Sequence, residues 1–282
     1  MKWKLYSRTT AVVGSLLVLA ACSGTDIALQ ADQEPVAVDR SVTPEPAPTE
    51  EPAVEEAPHW SYTGVDGPEN WGELAPQFAT CAVGTHQSPI DLAPAVSGDV
   101  PPISFAYAPA PVTILNNGHT VQVDYPEGSS ISLGDVRYQV AQYHFHAPSE
   151  HTIGGVSYPA ELHIVHANDA GELAVVGILL TEGAANPALE PVLANLPVTT
   201  APPVNLGLTV DAADFLPADH TSYRYNGSLT TPPCTEGVNW IVMATPVEVS
   251  ADQIARLDAV LAGNSRPVQA VNDRTPIEDG TA

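Results

Sequence analysis

From His59 to about Arg274, short apolar or alternating runs recur between Pro, Gly and Asn turns. That rhythm reads as β-structure. The runs are Pro111–Leu115, Thr120–Asp124, Ser130–Leu133, Val136–His146, Ala160–Ala167, Leu173–Leu180, Val204–Val210 and Val238–Val249. They are rich in β-branched and aromatic residues, which suit a pleated, half-buried surface. Two helices are expected among them. Asn186-Pro187 offers an N-cap and a first-turn proline ahead of Leu189, Val192 and Leu193. Ser250 and Gln253 form a capping box for a segment whose stripe is Ile254, Leu257 and Leu261, stopped at Gly263. No internal repeat is visible. The reading is a mostly β (α+β) chain with one large domain and a few short surface helices.

The ends have a different texture. Residues 1–21 combine Lys2, Lys4 and Arg8 with an apolar run, Ala11 to Ala21, too short to span a bilayer as a mature helix. The run closes on Leu19-Ala20-Ala21-Cys22, which resembles the lipobox of bacterial lipoproteins and implies lipidation of Cys22. An ordinary secretory signal with an incidental cysteine is the alternative; both imply export. Residues 22–58 are mainly Glu, Pro, Ala and Thr, cannot bury a core, and read as an acidic disordered tether. Residues 59–275 are then the folded domain and 276–282 a short tail. Both lysines lie in the leader, so a few arginines face 33 Asp and Glu, for a net charge of −24. Such a field repels nucleic acid and anionic membrane surfaces. It fits either a solvated surface or a saline medium. Three cysteines are present. With Cys22 assigned to the lipid, Cys81 and Cys234 remain as a pair in an oxidising compartment. A bridge between them closes a loop of roughly 150 residues, worth about 5 kcal/mol on the chain-entropy model; two free thiols are the alternative.

Candidate chemistry concentrates on two runs. In an extended strand alternate residues share a face, so Gln142, His144 and His146 lie on one side and Tyr143 and Phe145 on the other. In Ala160–His166, Glu161, His163 and Val165 share a face opposite Leu162, Ile164 and His166. Three neutral imidazoles on neighbouring strands leave one tetrahedral position open, the catalytic rather than the structural zinc pattern. Taken alone, His-x-His on a strand is a weak signal. The surrounding text strengthens it.

Gln142-Tyr143-His144-Phe145-His146, followed by Ser149-Glu150-His151, resembles the signature of the alpha-class carbonic anhydrases, and Glu161-Leu162-His163-Ile164-Val165-His166 matches its second half. Further blocks follow in family order: Trp60-Ser61-Tyr62, Gly67-Pro68-Glu69-Asn70-Trp71, Gln87-Ser88-Pro89-Ile90-Asp91, Asn116-Asn117-Gly118-His119, Tyr225-Asn226-Gly227-Ser228-Leu229-Thr230-Thr231-Pro232-Pro233-Cys234, Trp240 and Asn264-Ser265-Arg266-Pro267-Val268-Gln269. The resemblance implies one domain on a large, mainly antiparallel central β-sheet. It implies Zn2+ held by His144, His146 and His163, with the ligand rings oriented by Gln142, a backbone carbonyl near Asn264, and Glu161. Thr230 is similar to the family's gatekeeper, accepting a hydrogen bond from the metal-seated group and donating to Glu150. His119 resembles the proton shuttle, and Tyr62 the residue that orders its water chain. Val165, Val175, Leu229 and Trp240 resemble the apolar wall where substrate rests, and Thr231 joins the substrate side.

The implied activity is reversible hydration of carbon dioxide to bicarbonate and a proton, by attack of zinc-bound hydroxide. Esterase-like hydrolysis is an expected side activity. The implied setting is a bacterial membrane, with the domain lipid-anchored and facing the periplasm or the cell exterior. The oligomeric state is left open, a homodimer included. The stretch between His163 and Val175 is short for the family, and Ala147 stands where a bulky aromatic is common, so a more open rim is expected. Two rivals carry other functions. A non-catalytic binding module of the same fold would be expected to lack a zinc histidine, and all three are present. A zinc-storing lipoprotein would carry exposed histidine or acidic clusters near its tether, and residues 22–58 contain no histidine.

Overall fold

The alternating runs at 130–133, 136–146 and 160–167 become strands with those bounds in the protein's computed structural model, which describes residues 58–261 and 263–280. The leader, Cys22 and all but the last residue of the tether lie outside the described residues. The strands are β1 (Val96–Ser97), β2 (Ile103–Ala106), β3 (Ala110–Asn116), β4 (Val121–Asp124), β5 (Ser130–Leu133), β6 (Val136–His146), β7 (Ala160–Ala167), β8 (Leu173–Glu182), β9 (Ala201–Val210), β10 (Ser222–Ser228), β11 (Glu236–Met243), β12 (Val247–Val249) and β13 (Ile277–Asp279). The short helices are α1 (Trp71–Leu74), α2 (Thr80–Val83), α3 (Glu190–Leu193) and α4 (Ala251–Leu261).

All the strands join one sheet, in the order β1-β13-β10-β11-β8-β7-β6-β4-β3-β9, with β2 joined through β5 to β6, and β12 to β8. The sheet is mixed. Pairings are antiparallel except β1–β13, β8–β11 and β8–β12. The run Val238–Val249 divides into β11 and β12 because Pro246 has no N–H to donate; the two pieces pair with successive stretches of β8. Residues 276–282, read as a tail, contribute β13, which pairs with β10 and β1.

The two faces of the sheet carry different loads. One packs the larger core, in which Tyr143 and Phe145 of β6, Leu162 and Ile164 of β7 and Val176 and Ile178 of β8 are fully buried. The other carries a smaller apolar cluster around Val175, Leu179 and Trp240. Along β6 the parity of the core-facing residues changes. Tyr138 and Val140 face the larger core, then Tyr143 and Phe145 do, and the register against β7 shifts between Val140 and Gln142. That irregularity absorbs one residue at exposed Ala141. It turns Gln142, His144 and His146 to the smaller-cluster side, away from the core that Tyr138 and Val140 serve.

The expected C-terminal helix is α4. Its capping box is made, Gln253 N–H to Ser250 Oγ at 3.2 Å and Ser250 N–H to Gln253 Oε1 at 3.0 Å, and Gly263 beyond its end has φ +82°. The helix expected from Asn186 is shorter. Asn186 Oδ1 accepts from the amides of Ala188 and Leu189, at 3.0 and 3.2 Å, and so caps a turn, and α3 begins only at Glu190.

Candidate metal centre

Antiparallel pairing of β6 with β7 sets His144 opposite His163 and His146 opposite Glu161. Strand alternation then puts all three imidazoles on one face, and their ligand nitrogens lie within 4.8 Å of one another. Each ring has its other nitrogen committed. His144 Nδ1 meets Gln142 Oε1 at 2.8 Å, His146 Nδ1 meets the Asn264 carbonyl at 2.7 Å, and His163 Nε2 meets Glu161 Oε1 at 2.9 Å. All three partners are acceptors, so those nitrogens donate. That leaves Nε2, Nε2 and Nδ1 as lone-pair nitrogens turned toward one point. His146 Nε2 is buried and has no hydrogen-bond partner. An orphaned imidazole lone pair beside two others fits a metal ion and fits little else.

Burial pushes the three rings toward the neutral, ligand-competent form. It holds His144 well below the usual range, with His146 and His163 adding to the effect. It lowers His146 to about 4 and lowers His163, with Glu161 opposing in both. Glu161 is the mirror case. Burial raises its pKa, yet His151 and His163 outweigh that and hold the carboxyl well below its normal range. Its Oε2 accepts from the amides of Glu150 and His151, both at 2.9 Å, and its Oε1 also meets His151 Nδ1 at 2.7 Å. His151 Nε2 continues to the Tyr225 hydroxyl at 2.6 Å, which meets Ser88 Oγ at 2.9 Å.

Glu150, the gate carboxylate of the sequence reading, is 1% exposed. Its Oε2 lies 3.5 Å from His146 Nε2 and 3.9 Å from His163 Nδ1. Burial raises its pKa to about 7, against lowering by His163, the Arg266 amide and the Thr230 hydroxyl. Thr230 is 5% exposed, on the loop between β10 and β11. That loop is held by Leu229 N–H to the Thr235 carbonyl (2.9 Å), by Cys234 N–H to the Thr231 carbonyl (2.8 Å), and by the Cys81–Cys234 disulfide. Val175 and Trp240 are buried, with Val165 and Leu229 packed against the same cluster, and Trp240 stands 4.9 Å from the His163 ring.

His119 sits in the turn between β3 and β4, half-buried, its ring stacked on Trp60 at 3.6 Å. Burial, with His59 adding, lowers its pKa. Asn264 ties this turn to the metal side: its Nδ2 donates to the His119 carbonyl (3.1 Å) while its own carbonyl serves His146. Tyr62 packs against Trp60 and Trp71, and burial together with Glu150 raises its pKa well above the ordinary phenol value.

Some functional positions escaped the sequence reading. His151 and Arg266 stand in quoted motifs without a role, since their partners come from distant segments. Gly177 lies in β8 directly opposite His163. A Cβ there would stand 2.9 Å from Glu161 Oε1, so a larger residue presses on the carboxylate that orients His163. A lone glycine inside an apolar strand was the available signal, because it marks a close approach.

The comparisons agree with this geometry. The family model described as eukaryotic-type carbonic anhydrase matches residues 66–278. A carbonic anhydrase of Nostoc sp. is 45% identical over 239 residues, 80% of this chain and 88% of its own. One from Neisseria gonorrhoeae is 42% identical over 222 residues, 78% of this chain and 88% of its own. Among solved structures, the alpha-carbonic anhydrase of Thermovibrio ammonificans in complex with the inhibitor sulfanilamide superposes with a TM-score of 0.77 at 41% identity, covering 79% of this chain and all of that one. The chain belongs to the alpha-class carbonic anhydrases, zinc enzymes acting on carbon dioxide and bicarbonate.

Proposed function

We propose that the chain hydrates carbon dioxide reversibly to bicarbonate and a proton at His144, His146 and His163, and that His119 passes the proton to buffer. The observation that carries this reading is the trio of buried imidazoles whose outer nitrogens are all committed to acceptors, beside a buried Thr230–Glu150 pair and an apolar wall. Zinc, when bound, supplies the Lewis acidity that makes water a nucleophile at neutral pH. The residues do the rest. Three neutral ligands leave the metal's charge undiminished. Thr230 donates its hydroxyl hydrogen to Glu150 and so presents a lone pair to the reacting group, which favours a group that carries a hydrogen. Val165, Val175, Leu229 and Trp240 exclude water and receive an apolar substrate. His119, its pKa lowered by burial, is neutral at physiological pH and ready to accept a proton, and Tyr62 orders the water between.

His119→Ala is expected to slow turnover about tenfold or more in dilute buffer and to be rescued by added imidazole. A slow variant that imidazole does not rescue would assign His119 to the fold instead. The Cys81–Cys234 disulfide suits an oxidising, exported location. We extend that to lipidation at Cys22, with residues 22–58 holding the domain off a bacterial membrane. Cys22→Ser is expected to move the protein from the membrane to the soluble fraction; unchanged partitioning would contradict the anchor.

A further inference from the structure

Thr230 and Glu150 are far apart in sequence, and a buried arginine, Arg266, meets Glu150 through its backbone amide. Arg266 is 3% exposed. Its side chain donates to Gln87 Oε1 at 2.9 Å, the Ser88 carbonyl at 2.8 Å and the Cys81 carbonyl at 3.1 Å. It lies over the Trp71 ring, 5.7 Å from the centroid. Its backbone N–H donates to Glu150 Oε1 at 2.9 Å. The acceptors of its side chain are thus neutral oxygens. Burial works against such a guanidinium and lowers its pKa to about 10, with Glu150 opposing. A cation placed there serves geometry, since the planar fork can bind several segments at fixed angles.

Those segments reach the Thr230 loop at both ends. Gln87 Nε2 donates to the Cys234 carbonyl at 3.1 Å and to Glu236 Oε1 at 3.0 Å. Ser88 N–H donates to Ser228 Oγ at 2.9 Å, and Ser228 N–H returns to Ser88 Oγ at 3.0 Å. There is little slack: a Cβ on Gly84 would stand 2.3 Å from Gln87 Nε2, and one on Gly227 2.2 Å from Ser88 Oγ. We infer that Arg266 is a positioning residue for the Thr230–Glu150 pair: its guanidinium fixes the Cys81–Ser88 segment, and through it both ends of the Thr230 loop, to the amide that holds Glu150. This rests on the gate reading given above.

An aligned pair prefers a metal-seated group that carries a hydrogen, so misalignment should show as lost discrimination. The test uses the full, zinc-loaded chain and two probes, titrated by calorimetry. Sulfanilamide keeps a hydrogen on its seated nitrogen, and thiocyanate has none. Thr230→Ala should weaken sulfanilamide relative to thiocyanate by about tenfold or more, and Arg266→Lys by about tenfold in the same direction. Gln87→Met, which removes one of the arginine's three side-chain bonds together with Gln87's own bonds to Cys234 and Glu236, should shift the ratio about threefold. Leu257→Ala in α4, remote from the gate, should lower the melting temperature and leave the ratio alone. If Thr230→Ala shifts the ratio while Arg266→Lys and Gln87→Met match Leu257→Ala, the arginine is merely structural and the inference is overturned. If Thr230→Ala leaves the ratio unchanged, the gate reading fails and takes the inference with it. Should Arg266→Lys not fold, Gln87→Met decides by the same criterion.

Discussion

Glu161 shows how one side chain can hold a metal site. Buried completely, it accepts from His163, His151 and two backbone amides, and it stays charged because the two histidines outweigh desolvation. Four donors leave the carboxylate no freedom to move aside. Gly177→Ala therefore forces a methyl against Glu161 Oε1. Zinc affinity is expected to fall about 10- to 100-fold, the usual cost of disturbing a ligand's own partner. Competition with a chelator of known affinity measures it, and an unchanged affinity would mean that the carboxylate yields freely. That the histidines share a face was legible from the period of two along a strand; that they hold a metal was implied only by the resemblance of the surrounding motifs. Gly177, His151 and Arg266 were not legible, because their meaning comes from strand register and from loops closing over long sequence distances.

Among the elements, most strands that lie in an apolar or alternating run between turn residues were legible. β5, β6 and β7 begin and end where their sequence runs do. β1, β2 and β13 are two to four residues long and carry too little pattern to read. β10 went unread as a strand because its residues stood out as part of a motif. The irregularity near Ala141 was hidden too: it appears only once β6 is paired with β7. Helix α4 was legible from its caps, yet its Gln253 does more than cap. The side chain, 1% exposed, also accepts from Asn186 N–H at 2.8 Å and donates to the Asn186 carbonyl and Glu190 Oε2, each at 2.8 Å, joining α4 to the α3 turn. Gln253→Ala is expected to cost about 2 kcal/mol of stability by urea unfolding, with the hydration rate of folded protein unchanged. A loss within error would show the two helices to be independently held.

At the scale of the whole molecule, the sheet separates two tasks. One face builds the main core and makes β6, β7 and β8 rigid; the other spends that rigidity on a preorganised three-histidine centre. The last strand, β13, and the Cys81–Cys234 bridge tie the ends of the domain to the same framework that carries the gate loop. The full chain carries a net charge of −24, which suits a neutral substrate better than an anionic one. Carbon dioxide hydration at the three-histidine centre is the proposal on which the rest depends. Its most direct measurement is the acidification rate of carbon dioxide-saturated buffer with zinc-loaded protein, chelated protein and His163→Ala. A rate well above buffer is expected for the zinc-loaded protein, abolished by sulfanilamide, by chelation and by the substitution, and restored to the chelated wild type by zinc. A zinc-loaded, folded protein with no rate above buffer, or a rate that survives loss of His163, would contradict it.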